Sequence, residues 1–205
     1  SRGLGDVYKR QVANVFVQSN INQFGALAMA GCGSYSKIEG FGFIPVTCFS
    51  QALTTFIGQN LGAKEYDRTK KGALFGTICG IGIAEVIGIA VFFFSPYLIA
   101  AFGGDQKAIE YGIAEAHTIA LFYCLLAFSH CMAAIQRGAG RSIVPMFVMM
   151  LVWCGVRVTY ISIVIRIIPV INVIYWAYPL TWFISSVIFL ILFLKTDWIH
   201  GLEKQ

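Results

Sequence analysis

Two rows of uncharged polar side chains are the first feature of this sequence that could do chemistry, because both lie inside long apolar runs. The row in the second run consists of Thr47, Gln51, Thr55 and Gln59. The row in the first run consists of Asn14, Gln18 and Asn22. A spacing of four residues places each row on one face of a helix. Amides and hydroxyls facing lipid would be unsatisfied, so both faces must contact protein or water.

Hydrogen bonds between helices explain many such rows in membrane proteins. Since two consecutive runs carry them, we favour the wall of a hydrated substrate cavity. Its predicted lining residues are Asn14, Gln18, Asn22, Thr47, Gln51 and Thr55.

Ionisable residues inside the apolar runs are fewer. Glu85 lies in the middle of IGIAEVIGIA, where a charge costs about 2.5–3.5 kcal/mol on insertion scales. It is either a carboxyl that binds the transported ion or the structural charge partner of Arg157 in a later run, and we favour the pair. Glu39, expected at the outer mouth of the second span, is the other ion-coupling candidate. His130 is interpreted as a packing residue.

Other functional classes find little support. The sequence contains neither HExxH nor GxSxG, so no catalytic or metal-ligating residue is predicted and no cofactor is expected. The six cysteines form no CxxC pair and are interpreted as apolar packing residues. Three of the bases behind the net charge of +5 lie in residues 1–11, and the remaining bases cluster between apolar runs, a pattern that excludes nucleic acid as a partner.

Composition and the apolar runs predict the fold class, an all-α integral membrane protein. Hydrophobic residues make up 58% of the chain and charged residues 12%, against about 25% charged in average globular proteins. Residues 1–11, SRGLGDVYKRQ, resemble a translated sequencing adapter, residues 12–194 form a six-helix lobe, and residues 195–205 form a tail. The predicted spans are Val12–Ala30, Glu39–Leu61, Gly72–Phe94, Tyr111–Ile135, Ile143–Ile165 and Asn172–Leu194.

The basic residues of the connections predict the orientation in the bilayer. One side would carry Lys64, Arg68, Lys70, Lys71, Arg137, Arg141, Lys195 and Lys204. The other would carry only Lys37, Lys107 and Arg166. The richer side should be cytoplasmic, which places the C-terminus inside the cell.

Four blocks of this sequence resemble one known family. NVFVQSNINQFG, SKIEGFGFIP, QALTTFIGQNLGAKEYDRTKKG and QRGAGRSIVPM are similar, in order and spacing, to the C-terminal half of MATE (multidrug and toxic compound extrusion) transporters. The resemblance implies one lobe of a twelve-helix transporter that exports organic, often cationic, compounds in exchange for Na⁺ or H⁺. It also implies three partners: small organic substrates, the lipid bilayer of the cytoplasmic membrane, and an N-terminal lobe absent from this sequence.

Two departures from the family pattern affect the expected mechanism. Gly140, Arg141 and Ser142 stand where Gly-Asp-Thr is usual, and Leu126 and Ala127 occupy the place of an acidic coupling residue found in one branch. Coupling would then fall to Glu39 or Glu85, or to the absent lobe. The alternatives are a lipid-linked polysaccharide flippase of the same superfamily, disfavoured because only Arg157 adds a cavity cation, and a standalone six-helix scaffold.

Overall fold

The computed structural model describes residues 15–196 together with Trp198 and Ile199, so the adapter-like leader and Asn14 lie outside the described residues. The ordered elements are helical: α1 (15–22), α2 (Ala26–Gly62), α3 (Tyr66–Ala100), α4 (Gln106–Ile119), a 3₁₀ turn (Ala120–Phe122), α5 (Tyr123–Gly138), α6 (Ile143–Met149), a π-helical segment (Met150–Val156), α7 (Arg157–Ile167) and α8 (Asn172–Lys195). The stretches from α4 to α5 and from α6 to α7 each count as one long helix, so five helices within the described residues are long and apolar enough to cross a membrane.

The first predicted connection, between residues 30 and 39, is wrong. Those residues belong to α2, which runs unbroken for 37 residues, a length of about 55 Å at 1.5 Å per residue. The chain turns instead at residues 23–25, where Gly25 adopts a φ of 99° that side-chain-bearing residues rarely reach. Tyr35 and Ile38 pack into the core and hold the glycine-containing stretch helical. Glu39 therefore lies well inside a span.

The third predicted span is also longer in the structure than in the sequence analysis. The predicted span stopped at Phe94, just before Pro96, but the proline does not end the helix, since α3 continues to Ala100. The turn follows at Gly103 and Gly104, whose φ angles are 73° and 134°. The remaining predicted spans agree with the structure apart from their ends.

The bundle is organised around α2, which packs against α3, α4 and α5. Its contact with α4 is a close backbone approach: a Cβ on Gly31 would lie 2.0 Å from the Ala108 carbonyl oxygen. Gly88 makes a similar approach to the Ala120 oxygen, at 2.3 Å, and brings α3 against the 3₁₀ turn. Small residues commonly permit such packing between membrane helices.

Buried apolar side chains form three clusters along the bundle. One joins α1, the start of α2 and the start of α8, and includes Val17 and Ile174. A second lies in the middle around Tyr35, Tyr123 and Trp182, and a third joins the end of α2 to α5 and α8. Large apolar side chains on the outside of α3, such as Phe75, Val86 and Phe93, are exposed, as expected of a lipid-facing surface.

Candidate functional site

Two adjoining cavities open along α2. The larger encloses about 580 Å³ and is lined from α1, α2, α4 to α8 and the π-helical segment. We call it the acidic cavity, after Glu39 and Glu115 in its wall. The smaller, of about 460 Å³, lies between α2 and α5, and we call it the hydroxyl cavity. Its lining residues are Thr47, Ser50, Gln51, Thr54, Thr55, His130 and Arg137. The two cavities share Thr47, His130 and Arg137, so they form one continuous cleft.

Arg157 enters the acidic cavity from α7 and is 4% exposed. Its Nη2 donates a hydrogen bond of 2.8 Å to Thr181 Oγ1, and its guanidinium lies 4.2 Å from the centroid of the Tyr178 ring. The carboxylate that interacts electrostatically with Arg157 is Glu39. The structure thus assigns Arg157 a different charge partner from the one that the sequence suggested.

Glu85 has another role. Its Oε2 accepts a hydrogen bond of 3.2 Å from the backbone N–H of Cys124, which follows the 3₁₀ turn Ala120–Phe122. That turn breaks the regular hydrogen-bond ladder between α4 and α5, so Glu85 caps the restarting helix. The predicted pair of Glu85 with Arg157 does not form among the described residues, and Glu85 lines neither cavity. The inference failed because similar depth in two spans does not fix which faces meet.

Glu115 is a buried carboxyl that the sequence analysis did not single out. It is 3% exposed and lines the acidic cavity from α4. The Cys32 side chain interacts electrostatically with this carboxyl group, while Oε2 has no hydrogen-bond partner among the described residues. The argument that singled out Glu85, the cost of a charge in an apolar span, applies equally to Glu115 and could have found it.

Aromatic rings frame the acidic cavity. The His130 imidazole lies between Phe43 and Trp153, with centroids 5.7 Å away on each side. Behind them the hydroxyls of Tyr35 and Tyr123 are 3.0 Å apart in a buried hydrogen bond. His130 is itself 4% exposed, which agrees with its interpretation as a packing residue.

The π-helical segment Met150–Val156 carries part of the cavity wall that no sequence pattern indicated. Met150, Trp153 and Cys154 line the cavity from it, and Met146 and Met149 from the preceding helix. A π-helical stretch changes the direction of side chains relative to an α-helix, and such stretches occur frequently at functional sites. Methionine side chains are flexible and adapt to differently shaped neighbours.

The predicted polar rows are divided between the cavities. Thr47, Gln51 and Thr55 line the hydroxyl cavity, and Gln18 lines the acidic one. Asn22 is exposed and lines neither. Arg137 Nη2 donates to Ser50 Oγ at 3.5 Å across the hydroxyl cavity. The structure therefore brings most of the described rows to one cleft, while their contact with substrate stays a prediction.

Comparison with known proteins decides the family. The MatE family model matches residues 11–161. The chain belongs to the MATE family. It is 30% identical over 124 residues to the probable multidrug resistance protein NorM of Thermotoga maritima, covering 60% of this chain and 27% of that protein. It is 24% identical over 151 residues to the probable multidrug resistance protein YoeA of Bacillus subtilis, covering 72% of this chain and 32% of that protein.

The fold of this MATE chain agrees with solved structures. The MATE transporter ClbM in complex with Rb⁺ superimposes with a TM-score of 0.87 at 18% identity, over 97% of this chain and 47% of ClbM. The chain thus corresponds to about half of a twelve-helix transporter fold. The expected all-α membrane architecture, in the form of one lobe, is confirmed, as is the resemblance on which it depended. MATE proteins are multi-pass secondary transporters, not enzymes.

Proposed function

We propose that this chain forms one lobe of an antiporter that exports small organic, often cationic, compounds across the cytoplasmic membrane in exchange for Na⁺ or H⁺. The observation that carries the proposal is the acidic cavity, a space of about 580 Å³ with two carboxylates at membrane depth. Buried ionisable groups are expensive in a bilayer, and they commonly mark substrate or ion pathways.

The chemistry of the cavity wall suits a cationic aromatic compound. Glu39 supplies negative charge, and the rings of Phe43, Trp153 and Trp182 supply faces that attract cations. The methionines of α6 and the π-helical segment allow the wall to adapt to ligands of different shape. These features support export of several compounds rather than one.

In the proposed transport cycle this lobe rocks against a second lobe around the cleft. The hydroxyl cavity, exposed along Gln51 and Thr55, would face that second lobe and line the substrate path. The basic residues of the connections support a cytoplasmic C-terminus. Gln18 and Thr47 would contact substrate from α1 and α2.

Substitution of Glu39 in the whole transporter tests this function. Glu39→Gln removes the cavity charge that attracts a cation, and we expect it to abolish most gradient-driven ethidium uptake into everted vesicles. Glu65→Gln is the matched control, because Glu65 is exposed in the turn between α2 and α3. Unaltered uptake in the Glu39 variant would remove this carboxylate from the mechanism. Wild-type vesicles that take up ethidium with neither a Na⁺ nor a pH gradient would overturn the antiporter itself.

A further inference from the structure

One carboxylate oxygen of the acidic cavity has no partner to compensate its burial. Glu115 is 3% exposed, and its Oε2 contacts no hydrogen-bond donor among the described residues. An ionised carboxylate buried in this way carries a desolvation cost of several kcal/mol. The group therefore needs a cation, and Oε2 lies in the wall of a cavity through which one could arrive.

The described residues that interact with Glu115 supply no such cation. The titratable groups that interact with it come from the packed elements α2, α5 and α8: Cys32, Tyr35, Glu39, Tyr123, Tyr175 and Tyr178. Five of these are neutral thiols or phenols, and the sixth is another carboxyl. Arg157 interacts instead with Glu39. With both glutamates ionised and Arg157 charged, this end of the cavity holds one unit of excess negative charge.

The type of neighbour distinguishes a proton from a sodium ion. Hard cations bind through several oxygen ligands, whereas the Cys32 side chain that interacts with the Glu115 carboxyl is a thiol. The Tyr175 hydroxyl is already engaged with Cys32, at 3.4 Å from its sulfur, and with the Tyr111 carbonyl oxygen at 3.3 Å. A proton needs only the free carboxylate oxygen.

We propose that Glu115 carries the coupling proton of this exporter. The proposal rests on the function proposed above and names the ion and its carrier. A proton from the outer water forms an O–H bond with Oε2 and makes the side chain a neutral acid. That bond breaks when the cavity faces the cytoplasm, and the proton leaves to the cytoplasmic water. No other bond changes and no electron is transferred.

Exchange follows from electrostatics within one cavity. A cationic substrate near Glu39 and Glu115 stabilises the ionised carboxylate and expels the proton, while a bound proton removes part of the attraction for the substrate. The two effects are equal by linkage, so proton and substrate each weaken the binding of the other. Mutually exclusive binding is what antiport requires.

The test uses the whole transporter in proteoliposomes, with ethidium as the probe and either a pH gradient or a Na⁺ gradient as the driving force. We expect the wild type to move ethidium with the pH gradient alone. Glu115→Gln should lose pH-driven movement while retaining exchange of ethidium for ethidium, which needs no proton, at a raised KM because the neutral side chain attracts the cation less. Glu110→Gln, a substitution at an exposed position of the same helix, should behave as the wild type, and Glu115→Asp should recover part of the pH-driven movement.

Each contrary outcome has a distinct meaning. If a Na⁺ gradient but not a pH gradient drives ethidium movement, Glu115 is not a proton carrier, although the antiporter stands. Full pH-driven movement of ethidium in Glu115→Gln would lead to the same conclusion. A wild type that responds to neither gradient would overturn the proposed function.

A second measurement keeps the proposal testable if Glu115→Gln fails to fold. Dicyclohexylcarbodiimide modifies protonated carboxyls in apolar surroundings, so in the wild type we expect modification of Glu115 that ethidium and rising pH both suppress. Absence of modification at every pH would contradict the proposal.

Discussion

The two cavities of the cleft share helix α2 but satisfy their polar groups differently. In the hydroxyl cavity Thr47, Thr54 and Thr55 each donate to a carbonyl oxygen of their own helix, at 2.8, 3.0 and 3.2 Å respectively. In the acidic cavity, Glu115 Oε2 and Arg157 Nε are buried without a hydrogen-bond partner among the described residues. The polar groups of the hydroxyl cavity need no partner other than water. The acidic cavity, in contrast, contains buried charge that a ligand could compensate.

The difference separates two roles that a transporter needs. A surface whose hydroxyls are locally satisfied can let a substrate pass without binding it tightly. A buried cluster of charges responds strongly to one added proton or cation, because interactions between charges are stronger where water is scarce. Under the proposed function, the substrate would pass along the hydroxyl cavity and coupling would occur in the acidic cavity. Substitutions in the two cavities should then differ in the size of their effects.

The largest effect is expected from Arg157→Met. The substitution leaves the half-buried Glu39 without its opposite charge, and removing one partner of a pair shielded from water costs up to about 3–5 kcal/mol of unfolding free energy. Thermal unfolding of the detergent-solubilised transporter measures the loss. Arg166→Met, at an exposed position of the same helix, is the control, and adding Glu39→Gln to Arg157→Met should restore part of the stability. A variant as stable as the control would show that Glu39 does not depend on Arg157.

A smaller loss is expected from Gly31→Val. Because a Cβ there would lie 2.0 Å from the Ala108 carbonyl oxygen, the side chain must push α4, which carries Glu115, away from α2. Overpacking of this kind costs about 1–3 kcal/mol, and the same unfolding measurement detects it. Gly33→Val is the matched control, since a Cβ on Gly33 has no atom within 4 Å. Equal stability of the two variants would mean that the contact between α2 and α4 adjusts without cost.

The smallest effect is expected from Gln51→Ala in the hydroxyl cavity. Gln51 is exposed, so its removal should raise the KM for ethidium by no more than about fivefold, the value of one modest hydrogen bond, with unchanged thermal unfolding. Gln59→Ala, in the same row but outside the cavity lining, serves as the control. A loss as large as that of Glu39→Gln would place the main binding contact in the hydroxyl cavity and reverse the comparison.

Much of the fold could be read from the sequence because membrane spans are continuous apolar runs of a length set by the bilayer. The turn before α2 was misplaced because its signal, Gly25, is a single residue, whereas the glycines and polar residues between 31 and 40 resemble a loop. Tertiary packing of Tyr35 and Ile38 decides that this stretch is helical. Local composition could not show that contact.

The cleft divides in the same way. The row Thr47, Gln51 and Thr55 was recognisable because it repeats along one helix, and the structure places it on a cavity. The acidic cavity was not recognisable from the sequence, because Glu39, Glu115 and Arg157 come from three helices far apart in the chain. Their depth suggested that each charge needs a partner, but the choice of partner required the packed structure.

The sequence by itself thus determined the membrane class, most of the spans, the family and the polar face of α2, since each is encoded in the order and periodicity of nearby residues. Only the tertiary structure decided that Arg157 interacts with Glu39, that Glu85 caps α5 at Cys124, and that Glu115 lies unpartnered in a cavity wall. The physical reason is that the energy of a buried charge depends on the atoms within a few ångströms of it, and in this chain those atoms come from distant helices.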